Sequence, residues 1–184
     1  EEVLNIYNES LHRELVYWKA VSFPHYRREI LRYGCKVFPV LLYERTGMKP
    51  TSPPLEVHSM MRLDPFAGDL YSGDMSISAL SRGAQSIVRC GNYLDFGCSS
   101  GALTRNLQAR FPVSQWYGCD PVKSSISWAS EEFPLVSFER SEQVPPLPYE
   151  SEFFDGVFGI SIWSHFSEKS AMEWFVEMRR ILKP

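Results

Sequence analysis

The sequence predicts an α/β fold: a parallel sheet with crossover helices, preceded by a helical N-terminal extension. Three observations carry this expectation. From about residue 90, short apolar runs alternate with amphipathic stretches, as strands do when helices join them in parallel. A glycine-bearing loop within LDFGCSSG, residues 94–101, follows the first of these runs. Before residue 85, the clear apolar spacing is helical.

Leu4, Tyr7, Leu11, Leu15 and Trp18 recur at three- and four-residue steps and predict a helix over 4–20. Phe23 to Tyr33 reads as a second helix, and Val37 to Tyr43 is an apolar run that periodicity leaves unassigned. KPTSPP, 49–54, predicts a loop, because its prolines fix φ and lack donors. After FAGDLYSGD a helix is expected from about Ile77 to Arg89. The expected strands are Tyr93 to Phe96, Gln115 to Cys119, Leu135 to Phe138 and Phe154 to Ile162.

Between the first two strands, Leu103, Leu107 and Phe111 form one helix face, with Arg105, Asn106, Gln108 and Arg110 pointing elsewhere. Val122 to Glu132 does the same with Ile126 and Ala129. A last helix, Ser167 to Leu182, carries the stripe Ala171, Trp174, Phe175, Met178 and Leu182. Ser170 with Glu173 has capping-box spacing, and Ser167 is an equally good first residue. Arg179 and Arg180 suit the negative end of its dipole. Domain boundaries follow: an extension or lid over 1–85 and a core over 86–184.

At 184 residues and 44% apolar content the chain can bury one sizeable core. A net charge of −3 and scattered basic residues give no field for a phosphate backbone, so nucleic acid is not the expected substrate. The four cysteines, Cys35, Cys90, Cys98 and Cys119, have neither metal-ligand spacing nor a disulfide pattern, which fits a soluble protein of the reducing cytoplasm with no metal site. No run reaches the length needed to span a bilayer.

A loop after the first strand opens at the carboxyl edge of the sheet, where open α/β sheets bind ligands. Gly97 and Gly101 allow a tight turn and a close approach of peptide N–H groups to a ligand, though an ordinary strand-to-helix turn would use the same residues. Asp120 lies 19 residues past Gly101, near the offset at which an acid receives ribose hydroxyls. Asp95, at the mouth of the loop, would repel a pyrophosphate and suits a ligand with a cationic amino-acid tail. S-adenosylmethionine has that tail and no phosphate.

On these residues the stretch 92–184 resembles the class I S-adenosylmethionine-dependent methyltransferases. Asp95, Gly97 and Gly101 match the family's acid-x-Gly-x-Gly-x-Gly motif, with Ser99 in place of the middle glycine. Asp120 in YGCDP matches the acid ending the second strand. FFDGVFGISIWSHF, 153–166, is similar to the fourth-strand motif, and EMRRILKP to the helix leading into the fifth strand. The resemblance implies a Rossmann-like parallel-sheet methyltransferase fold. It implies a cofactor site of Asp95, Phe96, Gly97, Cys98, Ser99, Gly101, Asp120, Pro121 and Gly159, with Ser141 and Glu142 at the adenine. His165 is its candidate base, Trp163 a candidate acceptor wall, and Tyr71 and Asp74 candidates for a closing lid. The family's sheet usually has seven strands, so a chain ending at Pro184 reads as truncated before the fifth, with an open apolar edge on the fourth.

The expected function is therefore S-adenosylmethionine-dependent methyl transfer to oxygen or nitrogen of a small molecule, by a monomer or a homodimer. A non-catalytic module that binds S-adenosylmethionine or a partner is the alternative from another class. Aminopropyl transfer lacks an acidic cluster for a polyamine, and a nicotinamide dehydrogenase is disfavoured by Asp95 and the glycine spacing.

Overall fold

A computed structural model describes residues 90–184 together with Thr51, Pro53, Pro54 and Val57. The helices expected over 4–20, 23–33 and 77–89, the run Val37 to Tyr43, and the lid candidates Tyr71 and Asp74 lie outside the described residues. Within the predicted proline loop, the Val57 N–H donates to the Pro54 carbonyl at 2.9 Å, closing a turn. All regular elements described belong to one compact unit, Ser76–Pro184. Among the described residues no helix is long and apolar enough to cross a membrane.

The elements run β1 Asn92–Phe96, α1 Ala102–Arg110, β2 Gln115–Asp120, α2 Lys123–Glu132, β3 Ser137–Arg140, β4 Gly156–Phe158, a 3-10 turn Trp163–His165, and α3 Glu168–Ile181. The four strands form one sheet in the order β3-β2-β1-β4, and every described pairing is parallel. A parallel sheet has two faces to cover, and the strand residues divide between them accordingly. Tyr93, Trp116 and Phe138 join Leu103, Leu107, Ile126, Ala129 and Phe133 in a cluster that includes both α1 and α2 residues. Leu94, Phe96 and Cys119 join Leu147, Phe154, Trp174, Met178 and Ile181 in a second cluster that includes α3. Fully burying a large apolar side chain of this kind contributes about 1.5–3 kcal/mol.

Four sequence expectations are corrected by the packing. Strand β3 begins at Ser137 rather than Leu135, because the Val136 N–H closes a turn onto the Phe133 carbonyl and leaves Leu135 75% exposed. Strand β4 ends at Phe158, and Ser161 at φ 59° turns the chain out of extension before Ile162. On α1, Arg105 and Asn106 are buried: the Arg105 guanidinium lies 4.8 Å from the Phe133 ring centroid, and the Asn106 amide donates to the Ala102 carbonyl at 2.8 Å. The buried stripe of α3 is Trp174, Glu177, Met178 and Ile181, while Phe175 is exposed and stacks on Trp163 at 4.5 Å.

Glu177 belongs in that stripe because it is paired. Its carboxylate receives Arg180 Nη2 at 2.6 Å and the Leu147 N–H at 2.7 Å, so α3 pins the loop that follows β3. The Arg180 hydrogen bond holds this carboxyl below its usual range. Ser167 caps α3, its Oγ accepting the Ser170 N–H at 3.2 Å, which decides between the two caps that the sequence allows. Beyond α3, Leu182 makes a parallel bridge with Phe154, and Lys183 reaches Asp155 at 2.8 Å. Among the described residues, β4 has β1 as its one strand partner.

Candidate functional site

Strand order reverses at β1, since β2 and β3 lie on one side of it and β4 on the other. Such a switch point opens a crevice at the carboxyl ends of the strands. The loop 97–101 occupies that end of β1. Gly97 and Gly101 sit at φ 76° and 77°, and Ser99 at φ 50°, all in the left-handed region. A side chain at Gly97 would overlap Ile162, and a Cβ at Gly101 would come within 2.8 Å of the Phe138 ring. These two positions need glycine for space as well as for φ. Ser99, in the place of the family's middle glycine, bears the left-handed strain itself, a cost of about 1–2 kcal/mol.

The loop is tied to β2. The Gly97 and Cys98 N–H groups donate to the Cys119 carbonyl at 2.8 and 3.0 Å, and the Ser99 N–H donates to Asp120 Oδ2 at 3.0 Å. Asp120 Oδ1 accepts the Val122 N–H at 2.9 Å, so one carboxylate holds the loop on one side and the start of α2 on the other. A carboxylate has about four lone-pair sites, so two such bonds leave acceptor capacity for hydroxyls. The Ser141 N–H donates to the Asp120 carbonyl at 3.2 Å, and Arg140 Nε to the Pro121 carbonyl at 3.3 Å. Ser141 is thereby buried beside Asp120, with Pro121 half-buried and Glu142 exposed.

Asp95 shares its strand face with Tyr93, the face that α1 covers, and is 3% exposed. There the Thr104 hydroxyl donates to its Oδ2 at 2.6 Å. Burial raises the carboxyl to about 7; hydrogen bonds from the Thr104 side chain and backbone oppose the rise, and the Asp120 charge adds to it. A cation arriving beside Asp95 would stabilise its charged form. The site thus pairs a tether, Asp120, which accepts two backbone N–H groups, with a carboxyl, Asp95, that titrates near neutrality.

Across the crevice, Ile162 lies over Gly97, and the Trp163 ring is 5.9 Å from that of Phe96. Gly159 is half-buried, and a Cβ there would lie 3.2 Å from Trp163 Nε1. His165 was expected at the end of the fourth strand; it stands in the 3-10 turn beyond it, exposed, with its N–H on the Ile162 carbonyl at 2.9 Å. The Cys98 and Cys119 thiols are buried, and burial pushes both well above their ordinary value, which leaves them protonated and poor nucleophiles. Among the described residues no cluster of His, Cys, Asp or Glu is arranged to hold a metal.

Three residues of this arrangement were not singled out from the sequence: Thr104, Ile162 and Phe138. Thr104 left a signal, as a polar residue beside the apolar helix positions 103 and 107 and facing the strand parity of Asp95. Ile162 and Phe138 left none, since both read as ordinary strand residues.

A family described as a methyltransferase domain matches residues 94–184. No curated protein matches the chain by sequence. Among solved structures, the PH0226 protein of Pyrococcus horikoshii OT3 is 24% identical with a TM-score of 0.51, over 62% of this chain and 54% of that one. Phosphoethanolamine N-methyltransferase 1 of Haemonchus contortus, solved with phosphoethanolamine and S-adenosylhomocysteine, is 22% identical with a TM-score of 0.55, over 85% of this chain and 31% of that one. A SAM-dependent methyltransferase of Aquifex aeolicus is 18% identical with a TM-score of 0.52, over 73% and 69%. These likenesses show the fold, and the chain spans about half the length of the first structures that it matches.

Proposed function

We propose that residues 94–184, which match a family described as a methyltransferase domain, form a class I S-adenosylmethionine-dependent methyltransferase domain, and that the chain transfers a methyl group from S-adenosylmethionine to oxygen or nitrogen of a small-molecule acceptor. The observation that carries this reading is the pair of carboxylates bracketing the glycine loop at the switch point. Asp120 is fixed by two backbone donors with acceptor capacity left for vicinal hydroxyls, and Asp95 lies at the root of the loop, where a cationic tail would meet it. These acceptors suit a nucleoside with an amino-acid tail, and Asp95 would repel a pyrophosphate.

Bound S-adenosylmethionine supplies a methyl group already activated by its sulfonium. The protein's part is then alignment, exclusion of water and proton management. The left-handed loop brings backbone against the ligand, Ser141 and Glu142 border its base, and Phe96, Cys98, Ser99, Pro121 and Gly159 complete the wall. Trp163 lines the acceptor side. His165, on the turn that starts where Ile162 meets Gly97, takes the acceptor's proton. The lid candidates Tyr71 and Asp74 lie outside the described residues. The three described cysteines are free thiols, in keeping with a reducing cytoplasmic compartment.

Calorimetric titration with S-adenosylhomocysteine, with NAD as the comparison ligand, tests the reading. Saturable binding of the first alone is expected; binding of NAD, or of neither by folded protein, would overturn it. Methyl transfer from labelled S-adenosylmethionine across small hydroxyl and amine acceptors then separates an enzyme from a binding module. Turnover lost in His165→Ala with unchanged S-adenosylhomocysteine affinity would identify the base.

A further inference from the structure

Thr104 and Asp95 form a closed polar pair inside an apolar layer. Thr104 is fully buried on the first turn of α1, Asp95 is 3% exposed on β1, and the hydroxyl donates to the carboxylate at 2.6 Å. Leu103 and Leu107 beside the threonine belong to the core. A threonine there is costly unless its hydroxyl is satisfied, and valine would fill the same volume without a polar atom.

We propose that Thr104 is a positioning residue of the cofactor site, which holds Asp95 as the oriented anion that receives the ammonium group of the ligand's amino-acid tail. The inference rests on the reading of Asp95 given above and assigns a role to a residue that contacts no ligand. The physical reason is local. Around Asp95 stand Asp120 at the end of β2 and the thiols of Cys98 and Cys119, none of which brings positive charge. Arg105, next on α1, has its guanidinium over the Phe133 ring. Burial and Asp120 therefore push Asp95 towards its neutral form, and the Thr104 hydrogen bonds oppose them. A neutral Asp95 would meet an ammonium as a dipole only.

The test is the pH profile of S-adenosylhomocysteine binding to the full chain between about pH 5.5 and about pH 9.5, wide enough to hold the shifted midpoint. In the wild type, affinity is expected to fall as pH drops through about 7, and Asp95→Asn to remove that dependence. Thr104→Val should move the midpoint upward by about one to two pH units, the scale of one hydrogen bond to a charged group. Thr104→Ser should keep the wild-type midpoint. The ligand's own amine titrates alike in every variant, so the difference between variants belongs to the protein. If Thr104→Val does not fold, Thr104→Ala carries the same test. A wild-type midpoint in a folded Thr104→Val or Thr104→Ala, or an equal loss of affinity at every pH, would sink the positioning role while leaving the Asp95 reading standing. A wild type whose binding is flat with pH, or Asp95→Asn that binds as the wild type does, would remove the Asp95 reading and this inference with it.

Discussion

Asp95→Asn is expected to stabilise the ligand-free protein at pH 8 and to weaken S-adenosylhomocysteine binding at the same pH. The two effects have one cause. In the unfolded chain Asp95 ionises at its ordinary value of 3.8; in the fold, burial raises it to about 7. Between these values the folded state binds the extra proton, so stability falls as pH rises through the window. Above it the wild type bears the full cost of a buried anion, roughly 4 kcal/mol from a shift of this size. Asparagine cannot ionise, and its carbonyl can still accept the Thr104 hydroxyl. The variant's melting temperature should therefore exceed the wild type's by a margin that is absent near pH 4, grows through pH 5 and 6, and levels off above 7. Binding moves the opposite way, by about tenfold or more, because the ligand's ammonium loses its counter-charge. Thermal melts and titrations across pH read both. A variant no more stable at pH 8 than at pH 4, relative to the wild type, would show that Asp95 is ionised in the fold without penalty.

Asp120→Ala is expected to destabilise the protein and weaken S-adenosylhomocysteine binding together. It removes the acceptor of the Ser99 and Val122 N–H groups at one stroke. Leaving a buried donor unpaired costs about 1–3 kcal/mol. Ser99 would also lose the bond that accompanies its φ of 50°, so the loop is expected to relax towards ordinary backbone geometry. The affinity should fall about ten- to a hundredfold, from the lost hydroxyl acceptor and the loosened loop. Hydrogen exchange of the 97–101 amides should accelerate in the same variant. A folded Asp120→Ala with protected loop amides and unchanged affinity would remove Asp120 from the site.

Much of this was legible in the chain itself, for definite reasons. The alternation of strands and helices from residue 90 onward predicted a parallel sheet, because short apolar runs and amphipathic helices in turn have few other ways to bury both faces of the strands. Helix α2 and strand β2 fall within one residue of their expected bounds, since their apolar spacing and their boundary residues agree. The glycine loop and its two acids were legible because turn geometry and ligand charge each restrict the residue types allowed. The acceptor was not, because nothing in the sequence fixes the shape of the space above the crevice.

What the sequence determined alone was the local and periodic part: which segments form helix or strand, where the backbone turns left-handed, and which carboxylates stand at the strand ends. Only the tertiary structure decided the rest. It took Glu177 into the buried stripe of α3 because Arg180 and the Leu147 N–H await it there. It ended β4 at Phe158 and folded Ile162 over Gly97. It set Asp95 against Thr104 under α1, where burial moves its titration to neutrality. Apart from Arg180, one turn along the same helix as Glu177, these partners come from other elements, and the periodicity of the chain does not show which of them will meet. Their contribution to charge, register and protonation exists only once the sheet and helices have met.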